Sequence, residues 1–363
     1  MGRSGMIEMN EKILVAMSGG VDSSVAALLL KNSGYDCVGA TMKLFSQDLL
    51  PNDERSCGGA SEIGDAERVA KALGIPFYVR DLSGDFCKHV VDYFVNTYLA
   101  GGTPNPCVEC NRIMKFAKLY DIGHELGCKK IATGHYAKIE RDTNGRYLLS
   151  AADDASKDQT YVLWSLTQEQ LSRTMFPLSA LSKAEVRSLA AQNGFVNADR
   201  RDSQDVCFIP DGDYVGFIER YTKTTYPDGD FVDLAGNVIG RHGGHLRYTI
   251  GQRKGLGIAF GKPTYVCAKD AKSNTVTLGD NDDLFRRDLT AHGINLIALP
   301  RIDAPLRVQA KVRYAAKPAA ATVEQTSDTT LHLHFDEPQR AISSGQSVVV
   351  YDGNFVIGGG IID

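Results

Sequence analysis

A chain of 363 residues, 43% hydrophobic and 23% charged, exceeds what one hydrophobic core normally supports, so two or three globular domains are expected. A formal net charge of −4 excludes a protein that coats nucleic acid by bulk electrostatics, although local basic faces remain possible. No apolar run has the length of a membrane span and no charged-then-apolar leader is present, so a cytoplasmic protein with no membrane partner is expected. Eight cysteines spread over this length are no disulfide scaffold. In a reducing compartment they serve as core residues, ligands or reactive thiols.

Residues 1–10 read as a loose tail. The apolar run at 13–17 predicts a buried strand, followed directly by Ser18-Gly19-Gly20-Val21-Asp22-Ser23-Ser24. Val21, Val25, Ala26, Leu28 and Leu29 then recur at helical spacing to about Lys31, with Gly34 as the cap. Strand, glycine-rich turn and helix form the arrangement that holds nucleotide phosphates: glycines let backbone approach closely, hydroxyls donate, and the helix N-terminus offers unpaired N–H groups. Asp22 would repel a triphosphate unless a magnesium ion stands between them.

Further strands are expected at 35–42, 77–79 and 131–133, and helices at 61–73, 86–98 and 113–126, with a loop over 100–111. This βαβα rhythm predicts an α/β, doubly wound parallel sheet with ligands at the carboxyl ends of its strands. Residues 136–151 read as a hairpin turning at Asp142-Thr143-Asn144-Gly145. Ser182-Lys183-Ala184-Glu185 is a capping box opening a helix that Gly194 closes. Past residue 210 the helical signal fades. Residues 213–283 form a glycine-rich small central domain, and 284–363 alternate like a small β-barrel or sandwich. The expected domains are therefore 1–212, 213–283 and 284–363.

Cys37, Cys128 and Cys267 lie in apolar stretches and are expected as buried core residues, while Cys57 and Cys87 have no partner at useful spacing. Cys107-Val108-Glu109-Cys110 closes a loop stiffened by Pro104 and Pro106, just before a helix N-terminus, where the dipole favours a thiolate. Cys-x-x-Cys alone leaves zinc, disulfide redox and iron–sulfur chemistry open. His242 and His245 are the near-spaced candidates for further zinc ligands, but their basic glycine-rich loop suits phosphate contact better. Cys207, in a polar stretch after Arg200 and Arg201, is expected to be reactive. Basic residues also gather at 241–254 and 301–317.

Ser18–Ser24 resembles the PP-loop of enzymes that split ATP into AMP and pyrophosphate. Taken in order with residues 103–111, Thr133-Gly134-His135-Tyr136, Lys157-Asp158-Gln159, residues 202–208 and 248–257, the chain resembles the tRNA-specific 2-thiouridylases along nearly its whole length. The resemblance implies an adenine nucleotide α-hydrolase-like fold and replacement of the C2 oxygen of a wobble uridine by sulfur after adenylation by ATP with Mg2+. It implies that Ala16, Met17, Ser18, Gly19, Gly20, Val21, Asp22, Ser23, Met42 and Gly134 line the ATP site. Cys207 would carry sulfur as a persulfide delivered by a sulfur-relay protein, and Cys110 would be the second active thiol. Asn105 and Pro106 would flank the target base, which must leave its stack. Lys157, Asp158, Gln159, Arg313 and Tyr314 would contact tRNA.

The family commonly has aspartate where this chain has Cys107. Either the substitution is tolerated, or Cys107, Cys110 and Cys207 together hold a [4Fe–4S] cluster whose open iron carries the sulfide. Two rival functions remain: another PP-loop enzyme, thiolating tRNA elsewhere or forming an amide, and a non-catalytic RNA-binding protein. An amide ligase leaves the Cys110/Cys207 pair without a purpose, and a binding module leaves the PP-loop without one.

Overall fold

The computed structural model describes residues 11–45, 59–200, 206–258 and 261–363. The chain divides into two compact units, one of residues 1–89 and 109–212, the other of 90–108 and 213–363.

The first unit is built on a parallel sheet. Its strands are β1 (Lys12–Ala16), β2 (Asp36–Lys43), β3 (Phe77–Asp81), β4 (Lys130–Ala132) and, after a hairpin of β5 (Ala137–Arg141) and β6 (Tyr147–Ala151), β7 (Thr174–Met175). The order is β3-β2-β1-β4-β7, and every neighbouring pair runs parallel. The doubly wound sheet expected from the sequence is the one found. Ile13, Leu14 and Val15 are wholly buried because β1 is central and covered on both faces, which is why it reads as an unbroken apolar run. Helix α1 (Val21–Asn32) packs Val25, Ala26 and Leu30 against the same core as Val186 and Ala190 of the Lys183–Gln192 helix. Helix α2 (Ala60–Leu73) ends at Gly74, whose φ of 62° provides the left-handed cap. Ser182 and Glu185 form the reciprocal capping box their spacing predicts.

Two helices depart from expectation. Residues 83–99 are helical throughout, but Cys87–Val91 is wound as a π-helix. The second helix starts at Pro106, well ahead of the expected Ile113, and Cys110–Lys118 is again π-helical before Leu119–Glu125 returns to α geometry. Proline is welcome at a first helical position because its missing N–H would be unpaired there anyway. The Cys-x-x-Cys pair therefore lies within a helix rather than on a loop.

In the second unit, β8 (Gly229–Val232), β9 (Val238–His242), β10 (Tyr265–Asp270) and β11 (Thr275–Gly279) form a mixed sheet of order β10-β11-β8-β9. Phe231, Tyr248, Val266 and Val276 are its core. Tyr98 stacks on Tyr214 at 4.8 Å, and the Tyr221 hydroxyl donates to Asp92 at 2.7 Å, so the 90–108 segment is bound into this unit. The last strands are β12 (Phe285–Leu296), β13 (Leu306–Lys311), β14 (Ala319–Ser327), β15 (Thr330–Arg340), β16 (Ser347–Asp352) and β17 (Phe355–Ile362). They run β12-β15-β14-β13-β16-β17 and close by β12–β17 pairing into the expected barrel. Its interior holds Val323, Leu333, Phe335, Val348 and Val350. Among the described residues no helix is long and apolar enough to cross a membrane.

Candidate nucleotide site

The carboxyl ends of β1, β2 and β4 open onto a cavity of about 210 Å³. Ala16, Met17, Ser18, Asp22, Ser23, Met42 and Gly134 line it, together with Thr41, Leu44, Lys115, Leu119, Thr133, His135 and Gln159. Gly19, Gly20 and Val21 complete the turn between β1 and α1. Gly19 has φ 81° and lies so close to the backbone of Glu62 that a Cβ would sit 2.3 Å from its carbonyl oxygen. Glycine is required there. Gly20 caps α1 with extended backbone and no side-chain hydrogen bond to the first turn, so those N–H groups stay available to an anion. The hydroxyls of Ser23 and Ser24 both donate to the Gly20 carbonyl at 3.0 Å, and the Ser23 hydroxyl also accepts from Ser18 N. Asn197 braces the loop from behind, donating to Gly19 O at 2.7 Å and to Ser24 Oγ at 3.0 Å.

Asp22 does not face the cavity as a bare carboxylate. Lys183 Nζ lies 2.7 and 2.8 Å from its two oxygens, and the Tyr136 hydroxyl donates to it at 2.8 Å. Asp22 is thus already matched by an ammonium and a hydroxyl, a pairing that leaves it poorly suited to chelate a magnesium ion itself. Sequence reasoning read Lys183 only as part of a capping box. It missed Lys115 altogether. His135 is buried, with Nδ1 2.7 Å from Thr133 Oγ1 and Nε2 3.5 Å from Lys115 Nζ. Burial first, and the charge of Lys115 second, hold its pKa well below 6.5, so the ring is neutral.

Cys110 is half-buried at the start of the π-helical stretch, and Cys107 is exposed in the turn before it. Cys207 is half-buried next to Phe208, whose ring packs 5.7 Å from Phe86 and 6.5 Å from Phe45. Among the described residues no three His, Cys, Asp or Glu side chains are grouped so as to hold a metal ion. Cys37 and Cys128 are buried as expected, and desolvation raises the Cys37 thiol to about 11. Cys267 is only half-buried, and Cys57 lies outside the described residues, as do residues 1–10 and 201–205.

Gln159, expected at tRNA, lines the nucleotide cavity and accepts from Tyr136 N at 2.9 Å. Asp158 accepts from the backbone and hydroxyl of Thr160, while Lys157 is half-buried beside it. In the second unit Pro106 is buried and Asn105 half-buried, and Arg313 and Tyr314 are exposed after β13. His242 and His245 are not available for phosphate contact. Both rings are buried, and His242 packs against Phe231 and Tyr248.

A parallel sheet, a Ser-Gly-Gly turn running into a helix N-terminus, and a cavity over the strand ends define a nucleotide-phosphate-binding α/β unit, here followed by a mixed sheet and a closed barrel. The chain matches the family descriptions "tRNA methyl transferase HUP domain" over residues 11–211, "tRNA methyl transferase PRC-barrel domain" over 215–280 and "Aminomethyltransferase beta-barrel domain" over 286–362. It is 50% identical over 356 residues to the tRNA-specific 2-thiouridylase MnmA of Clostridioides difficile, covering 98% of this chain and 99% of that one. It is 47% identical to the same enzyme of Lachnoclostridium phytofermentans (97% and 99% covered). For that of Heliobacterium modesticaldum the identity is 49%, with 98% and 93% covered. The chain belongs to the tRNA-specific 2-thiouridylase family.

Proposed function

We propose that this protein uses ATP to activate the C2 oxygen of a tRNA wobble uridine and then exchanges that oxygen for sulfur. The observation that carries this reading is the cavity in which Ser18, Asp22, Ser23 and Gly134 meet at the N-terminus of α1. A carbonyl oxygen of uracil is too poor a leaving group to be displaced directly, and adenylation makes it part of AMP. The uridine O2 attacks the α-phosphorus, the bond to the bridging oxygen breaks, and pyrophosphate leaves with the electron pair. Backbone N–H groups of the Gly20–Ser23 turn and the positive end of α1 stabilise the charge that develops. Magnesium on the triphosphate supplies further neutralisation.

The terminal sulfur of a persulfide on Cys207 then attacks C2, and AMP leaves as the C2–O bond breaks. The Cys110 thiolate attacks the Cys207 sulfur, which releases the 2-thiouridine and leaves a Cys110–Cys207 disulfide for a dithiol reductant to reopen. A sulfur-relay protein reloads Cys207. Asn105 and Pro106 flank the extruded base, and Lys157, Asp158, Gln159, Arg313 and Tyr314 contact the tRNA. On this reading residues 1–212 carry the chemistry, 213–283 and 284–363 hold the RNA, and the reaction is cytoplasmic.

The test is tRNA-dependent ATP–pyrophosphate exchange, with nucleoside mass spectrometry of the product. Exchange together with a gain of one sulfur for one oxygen at uridine is expected. Absence of exchange with unmodified tRNA would overturn the reading in favour of a binding module. Iron and acid-labile sulfide are measured on the same preparation: activity that tracks iron content would replace the persulfide route by a cluster-borne sulfide.

A further inference from the structure

We propose that Lys115 is a catalytic residue whose ammonium neutralises the α-phosphate of ATP and of the adenylated base, held on the Cys110 face of its helix by the π-helical register. The inference rests on the adenylation chemistry above and adds a group that the sequence motifs do not contain.

Three observations carry it. Lys115 lines the nucleotide cavity. Its nearest polar partner is the Nε2 of a buried, neutral histidine at 3.5 Å, and among the described residues no carboxylate lies within salt-bridge distance of it. The other ammonium at this site, Lys183, is bound to Asp22. A cation left with a neutral partner in a concave site at a helix N-terminus is matched by an anion that arrives with the substrate. His135, fixed through Thr133, acts as a positioning residue: it aims the lysine without cancelling its charge.

The third observation is the register. In an α-helix, at about 100° per residue, side chains five apart diverge by about 140°. Where hydrogen bonds run from i to i+5, at roughly 4.4 residues per turn, the divergence of residues five apart falls to about 50°. Cys110 and Lys115 are five apart and both lie in the π-helical stretch. The thiol and the cation therefore share one helix face. The α-phosphate is the one phosphate that becomes joined to the base, through the oxygen on C2, so a cation on the thiol's face stays with it through both steps. It offsets negative charge as pyrophosphate leaves in the first step and as AMP leaves in the second. No electron or proton is exchanged with the lysine.

Lys115→Gln is compared with wild type in three measurements: affinity for a non-hydrolysable ATP analogue by calorimetry, tRNA-dependent pyrophosphate exchange, and single-turnover thiolation from a preformed persulfide. The expected result is analogue affinity within a few-fold of wild type, exchange kcat down by about 10²–10³, and a comparable loss in single-turnover sulfur transfer. Lys115→Arg, which keeps the charge, is expected to recover at least tenfold of the exchange loss, and provides the same comparison if Lys115→Gln does not fold. Exchange within threefold of wild type in Lys115→Gln, or a rise in KM at unchanged kcat, overturns the proposal while leaving the adenylation reading intact. Absence of exchange in the wild-type enzyme overturns both.

Discussion

The approach of β4's end to the phosphate loop sets a sharp steric limit at Gly134. A Cβ placed there would lie 2.7 Å from both the carbonyl carbon of Asp22 and the backbone nitrogen of Ser23, and 3.0 Å from the Cβ of Asp22. Ordinary carbon contacts are about 3.5–4.0 Å, so Gly134→Ala must push the first turn of α1 away by roughly 1 Å. Backbone, unlike a side-chain tip, has no rotamer by which to yield. Overpacking of this kind costs about 1–3 kcal/mol of stability. The same displacement moves the N–H groups that face the phosphates, and an error of about 1 Å in a reacting geometry costs about 10²-fold in rate. The assay pairs urea unfolding with tRNA-dependent pyrophosphate exchange. Gly84→Ala, at an exposed helical position where an added Cβ meets nothing within 4 Å, is the control and is expected to be neutral or slightly stabilising. If Gly134→Ala retains both its unfolding midpoint and at least half the exchange rate, the close packing of β4's end on α1 does not set the phosphate site.

Three more expectations follow from named contacts. Lys183→Met strips Asp22 of its ammonium partner and should cost about 2 kcal/mol of stability, measured by denaturant unfolding; a loss under about 0.5 kcal/mol would mean the pair is incidental. Cys110→Ser and Cys207→Ser should each abolish 2-thiouridine formation while leaving pyrophosphate exchange near normal, read by nucleoside mass spectrometry and isotope exchange; thiolation above about a tenth of wild type in either contradicts the assigned roles. His135 is held well below 6.5 in the folded protein, so the unfolded chain binds the extra proton as pH falls through 6.5. Its contribution therefore lowers stability on acidification, by up to about 1.4 kcal/mol per pH unit. His135→Gln should flatten that slope between about pH 6.5 and 5, and an unchanged slope would show that another group titrates.

The central strands and the phosphate turn were legible in the sequence because their physics is local: apolar runs for buried parallel strands, glycines where the backbone turns left or comes close. The helix beginning at Pro106 was not, since two prolines and a polar stretch read equally well as a loop until the first-turn position of Pro106 is known. A π-helical register has no residue signature, so the alignment of Cys110 with Lys115 could not be read from spacing. Lys183 carried a complete local explanation as part of a cap, which hid its distant bond to Asp22. His242 and His245 sat in a glycine-rich basic stretch that suggested phosphate contact, yet both rings are buried, that of His242 against Phe231 and Tyr248. The two residues of β7 are too few to leave any periodic trace.

The seam of the barrel bears on how the chain is made. β17 pairs with both β16 and β12, so until that strand emerges from the ribosome two strand edges stand unpaired. The 90–108 segment waits nearly as long for its own partners, because Thr103 N donates to Ser344 O and Gln346 Nε2 to Thr103 O. At about 5–20 residues per second that interval is on the order of ten to fifty seconds. A message cut short before Phe355 would yield a protein whose phosphate loop can form but whose second unit has open edges, and such truncates should be recovered from aggregates rather than as inactive monomers.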